Sequence, residues 1–260
     1  MTWRLLALLL ALALEPALAA ETPEAKGLAL AQAADTADQG WGDAKATLSM
    51  VLRNAAGAES RRELRIRLRE MPGDGDQSLI TFQLPRDITG TALLSYSHAL
   101  APDDQWLYLP ALKRVKRIAT ANKSGPFVGS EFAYEDLTSM EVDKYSYRWL
   151  RDEDAAGRPA SVLEEVPRYE NSGYARRLVW LDRARLQPLR VEFFDRKGAP
   201  LKTLLCEDYR PYQGRYWRAH RMTMRNQQTG KSTELAWGDY TFGNGYTARD
   251  FDQSSLARER

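Results

Sequence analysis

Glu63-Leu64-Arg65-Ile66-Arg67-Leu68-Arg69 settles the fold class of this chain. Leu64, Ile66 and Leu68 recur at every second residue, and each position between them is an arginine. A period of two sends apolar side chains to one face of a strand and charges to the other, the mark of a half-buried antiparallel strand. The same alternation runs outward in both directions. Leu48, Met50 and Leu52 precede it, and Ile80, Phe82 and Leu84 follow it, with 54–58 and Pro72-Gly73-Asp74-Gly75 as turns.

Beyond residue 144 the pattern resumes over 145–151, 161–169, 174–181, 189–193, 201–209, 216–225 and 232–240, separated by turns rich in Gly, Asn, Asp and Lys. Roughly ten or eleven strands at such spacing predict a curled, mainly β fold of sandwich or barrel type. A closed barrel of that many strands leaves an interior too wide for side chains to fill, so a helix, a ligand or both must occupy it. The charged outward positions of 63–69 argue against an integral membrane barrel. Two helices are expected. One covers 27–41, with Leu30, Ala33, Ala34, Ala37 and Trp41 on one thin face; the other covers 130–140.

Residues 1–19 read as an export signal: Arg4, an apolar run over 5–14, and Ala17-Leu18-Ala19, with cleavage after Ala19. Ten apolar residues are too few to span a bilayer. The expected product is a soluble, monomeric periplasmic protein with one domain over 20–260. No cysteine follows the cleavage point to take a lipid, and Cys206, the chain's one cysteine, is expected to be buried as a small hydrophobe.

A formal net charge of +2 over 260 residues gives no electrostatic case for nucleic acid. Catalytic chemistry has little to work with. The two histidines, His98 and His220, are isolated from any nucleophile motif, and His220 is expected to be a hydrogen-bonded interior residue beside Met222 and Met224. Two histidines and one cysteine give no zinc or copper spacing, and no calcium loop or phosphate-binding glycine loop is present. We therefore expect no catalytic residue, no metal and no cofactor.

The densest stretch is 103–137, DDQWLYLPALKRVKRIATANKSGPFVGSEFAYEDL. Trp106, Tyr108, Phe127, Phe132 and Tyr134 are its candidates for lining an apolar cavity. Lys113, Arg114, Lys116 and Arg117 form either a solvated strand face or a docking patch for anionic headgroups or an acidic partner protein. The runs 106–118 and 127–137, with Leu84-Pro85-Arg86-Asp87-Ile88-Thr89-Gly90-Thr91-Ala92-Leu93-Leu94 upstream, resemble the outer-membrane lipoprotein-sorting, LolA-like family. That resemblance implies an incomplete β-barrel whose open side is covered by helices, around a cavity for acyl chains. It also implies a non-enzymatic carrier of lipoprotein acyl chains or lipid between an inner-membrane transporter and an outer-membrane acceptor. The alternative role is an accessory protein of an envelope assembly, or of an RND-type efflux or lipid-export complex, acting by protein–protein docking. On the carrier reading, 27–41 or 130–140 moves as a lid.

Overall fold

The computed structural model describes residues 21–258; the export-signal reading of 1–19 lies outside the described residues. Thirteen strands form one antiparallel sheet. In chain order they are β1 (Asp43–Arg53), β2 (Glu59–Arg69), β3 (Gln77–Leu84), β4 (Ala92–Tyr96), β5 (Asp104–Leu109), β6 (Arg114–Arg117), β7 (Tyr145–Ala155), β8 (Arg158–Pro167), β9 (Tyr174–Asp182), β10 (Pro188–Asp195), β11 (Pro200–Tyr212), β12 (Tyr216–Asn226) and β13 (Ser232–Phe242). The sheet order β6-β5-β4-β3-β2-β1-β13-β12-β11-β10-β9-β8-β7 leaves β6 and β7 as unjoined edges. The thirteen strands exceed the roughly ten or eleven expected; three strands over 145–181 were already expected, and short β4 is among those that were not.

The sheet curls around its own apolar face. One buried cluster joins Leu64, Phe82, Leu93 and Leu107 of β2 to β5 with Val179, Phe193 and Met224 of β9, β10 and β12. Strands this far apart in the order share a cluster only when the sheet bends around it. The mainly β, incomplete-barrel expectation therefore holds: curved, open and, among the described residues, with one α-helix.

That helix, α1 (Pro23–Ala37), starts four residues before the expected point because Thr22 caps it, its hydroxyl accepting from Ala25 N at 3.1 Å, and Pro23 follows. Its buried residues are Gly27 and Ala31 rather than the face through Leu30 and Ala33. At one end an added Cβ on Gly27 would lie 2.7 Å from Trp149 N, so the helix rests directly on the β7 backbone. Past its other end Asp38 pairs with Arg218 of β12 at 2.6 Å, and Tyr216 hydroxyl donates to Gln39 O at 3.3 Å. Fifteen helical residues span about 22 Å, and the five inter-strand steps from β7 to β12 span about 24 Å. The helix is thus strung across the concave side like a strap.

Candidate functional site

The concave face is filled by residues 118–140, the segment between β6 and β7. Ile118, Phe127 and Phe132 are buried in the main cluster, and Val128, Tyr134 and Leu137 pack against it. Phe127 is 1% exposed, with Phe82 at 5.6 Å and Tyr134 at 5.7 Å between ring centroids. The expected helix over 130–140 is absent. In its place is a short 3-10 turn, Tyr134–Leu137, preceded by another at Phe127–Gly129 in which Val128 (φ 46°) and Gly129 (φ 78°) take left-handed backbone. Phe127, Phe132 and Tyr134 all join one cluster, and a regular helix would have pointed some of them outward.

An irregular segment leaves backbone and side-chain polar groups to be satisfied one by one. Asp136 accepts from Ala133 N at 2.7 Å, from Tyr174 hydroxyl at 2.7 Å and from Lys202 Nζ at 2.6 Å. Lys202, only 4% exposed, also donates to Glu131 O at 2.9 Å and lies 5.2 Å from the rings of Tyr174 and Phe193. Glu135 accepts from Gly173 N at 2.8 Å and from Ser172 and Tyr169 hydroxyls at 3.0 Å. Burial raises the Glu135 carboxyl above the ordinary range, against those three donors. Asn226 donates to the Glu131 carboxylate at 2.8 Å, Arg62 to Val128 O at 2.6 Å, and Gln105 Nε2 to Tyr134 O at 3.0 Å. Glu131, Glu135 and Asp136 are therefore ties from the segment to β9, β11, β12 and the β8–β9 loop, not acids opening a helix.

The five cavity candidates fall on two faces. Phe127, Phe132 and Tyr134 lie together on the concave side. Trp106 and Tyr108 pack into a second cluster with Leu79, Leu94, Phe251 and Leu256. Leu107, between them in β5, joins the main cluster, so strand alternation sends Trp106 and Tyr108 to the convex face. There the 3-10 turns Ala248–Phe251 and Gln253–Arg258 cover them.

The basic residues Lys113, Arg114, Lys116 and Arg117 are all exposed, in and beside edge strand β6. Arg117 pairs with Asp104. Lys123, by contrast, is 7% exposed; burial lowers its pKa, and it donates to Asp103 O.

His220 is interior, its Nδ1 2.8 Å from Trp237 O and its Nε2 2.7 Å from Tyr212 hydroxyl. A carbonyl only accepts, so Nδ1 carries the proton and the tyrosine donates to Nε2. Cys206 is buried, which pushes its thiol up to about 12. Among the described residues, no group of three or more His, Cys, Asp or Glu is placed to hold a metal ion, and no helix is long and apolar enough to cross a membrane.

A solved domain from Vibrio parahaemolyticus, described as an outer membrane lipoprotein-sorting protein, is 55% identical over 90% of this chain and 99% of that one, with a TM-score of 0.88. The chain belongs to the LolA-like, lipoprotein-sorting family. A family model described as “-like: Uncharacterized protein” matches residues 74–258. A DUF1329 family protein from Desulfovibrio piger is 26% identical over 90% of this chain and 99% of that one, with a TM-score of 0.86. A LolA superfamily protein from Nitrosomonas europaea shares the fold at 19% identity and a TM-score of 0.70, over 88% of this chain and 98% of that one. No curated protein matches. In this LolA-like chain the sequence reading missed Lys202, Tyr169 and Tyr174 as partners of the signature segment. One signal was available: Lys202 shares its strand face with Leu204 and Cys206, an inward position for a charge.

Proposed function

We propose that this LolA-like chain is a periplasmic, non-catalytic carrier that holds lipoprotein acyl chains or free lipid against its concave face for transfer toward the outer membrane. An inner-membrane transporter would load it and an outer-membrane acceptor would unload it. The observation that carries the reading is the occupant of that face: an irregular segment, not a packed helix or a second sheet, covers the apolar interior of an open sheet.

Magnitudes favour an exchange between that segment and cargo. A sixteen-carbon acyl chain gains about 13 kcal/mol on leaving water, before ordering costs. Burial of Phe127 and Phe132, with Val128, Tyr134 and Leu137 partly covered, is worth up to roughly 15 kcal/mol at no more than about 3 kcal/mol per side chain. Two occupants of similar worth can displace one another without either being trapped. The identity with the Vibrio domain supports the same cargo class.

Mass spectrometry of organic extracts from gently purified protein tests this. Co-purified phospholipid or triacylated lipoprotein is the expected result. Extracts that stay empty after incubation with both lipids would sink the carrier reading. Empty extracts with envelope proteins co-purifying would favour the accessory role, for which the bare basic edge at β6 is the supporting feature.

A further inference from the structure

The open edge of the sheet at β6 carries a second surface. The β5–β6 turn, Pro110–Leu112 followed by Lys113 in left-handed backbone (φ 49°), holds Leu112 out 63% exposed. Strand pairing places this turn at the same end of the sheet as the β3–β4 turn, with one strand between β3 and β5. There Leu84 is 45% exposed, beside exposed Arg86.

Arg86, Lys113, Arg114 and Lys116 make no ion pair with a described residue. Of the nearby acids, Asp87 acts on Arg62 and exposed Glu63 lies opposite Leu84 on β2 without an ion pair to a described residue, so four unpaired cations stand against one unpaired acid. Cations along a bare strand edge also discourage strand pairing between copies. That account leaves two exposed leucines on neighbouring turns unexplained.

We infer that this corner, Leu84, Arg86 and 112–116, docks the protein on an anionic phospholipid bilayer. The leucines would enter the headgroup layer while the unpaired cations meet lipid phosphates. An acidic protein would satisfy the charges but would need its own apolar pocket for each leucine, whereas a bilayer offers an apolar layer to both. The surface adds a delivery step to the carrier reading and rests on that reading for its purpose.

Co-sedimentation of the full chain with phosphatidylglycerol-containing vesicles, against pure phosphatidylcholine vesicles, tests it. Partitioning onto the anionic vesicles should exceed that onto the neutral ones and fall steeply as salt rises. Lys113→Gln/Arg114→Gln/Lys116→Gln should weaken it about 100-fold, at roughly 5-fold per cation, and flatten the salt dependence. Leu112→Ser should weaken it about 10-fold with the salt dependence kept. All four positions are exposed, so unchanged circular dichroism is expected. Equal partitioning onto both vesicle types, or a triple variant that binds like wild type, overturns the inference. Organic extracts of the wild-type chain, set beside its own vesicle binding, separate the two proposals. Vesicle binding without extractable lipid sinks the carrier alone, and extractable lipid without vesicle binding sinks the dock alone.

Discussion

Residues 118–140 and helix α1 both cover the open side of one sheet, by opposite means. The segment has almost no regular structure, yet it buries Phe127 and Phe132 and is tied down by Asp136, Glu135 and Glu131. The helix satisfies its own backbone and buries only Gly27 and Ala31. A cover whose own hydrogen bonds are scattered, such as Phe127 N to Phe132 O at 2.7 Å and Tyr134 N to Gly125 O at 3.1 Å, must borrow further partners from the sheet, and each partner fixes its position. A helical cover needs few: α1 is held by Gly27 and Ala31 against β7 and by the Asp38–Arg218 pair past its other end.

The largest effects should come from emptying the segment's pocket. Phe127→Ala removes a ring packed on Phe82 and Tyr134 and should cost about 3–5 kcal/mol in denaturant unfolding. A cost below about 1 kcal/mol would mean the segment is loosely held after all.

Next comes the tie to β11. Lys202→Met strands the buried Asp136 carboxylate and should cost about 3–5 kcal/mol, while Lys202→Met with Asp136→Leu should recover much of it. Failure of the double variant to recover would show that the charges do more than satisfy one another.

A smaller effect is expected at the helix. Gly27→Ala places a methyl against the Arg148 and Trp149 backbone, with contacts of 2.7–2.9 Å, and should lift α1 from β7 at about 1–3 kcal/mol. Hydrogen exchange should rise in α1 and leave 118–140 protected; equal loosening of both would make them one cooperative unit.

A pH-dependent signal lies where the two covers meet. Asp76 N donates to Ser139 of the segment at 3.2 Å, and Asp38, just past the helix, is among the charges acting on the Asp76 carboxyl. Burial pushes that carboxyl up to about 7, against the Met71 amide and with Glu141, Glu70 and Asp38 adding repulsion. Between pH about 4 and about 7 the folded chain keeps a proton that the unfolded chain releases, so Asp76 lowers stability progressively as pH rises through that window. Thermal unfolding of Asp76→Asn should match wild type near pH 4 and exceed it at pH 8. Coincident curves at both ends would remove Asp76 from the account.

Strand positions were legible in the sequence because alternation such as Leu64-Arg65-Ile66 has no other reading, and interior His220 and Cys206 followed from the runs around them. Which side of β5 faces inward was not legible. Trp106 and Tyr108 look like cavity residues, but β5 is covered on both faces, the convex one by a C-terminal stretch whose two anchors, Phe251 and Leu256, are spaced among polar residues. The segment 130–140 misled for a related reason. Its acids sit where a helix dipole would favour them, and only distant partners such as Lys202 and Tyr174 reveal that they are ties.

The buried Cys206 thiol has a practical consequence for watching this interior open. With its pKa near 12, only about one molecule in 10,000 or fewer would carry a thiolate at pH 8, and the sulfur is shielded from collision as well. The native cysteine is therefore nearly silent in thiol exchange. Two cysteines introduced between α1 and the sheet, or between 118–140 and the sheet, would pair with each other and leave Cys206 untouched. Each cover could then be fastened separately under oxidising conditions and released by reductant, with the unmodified chain as a blank.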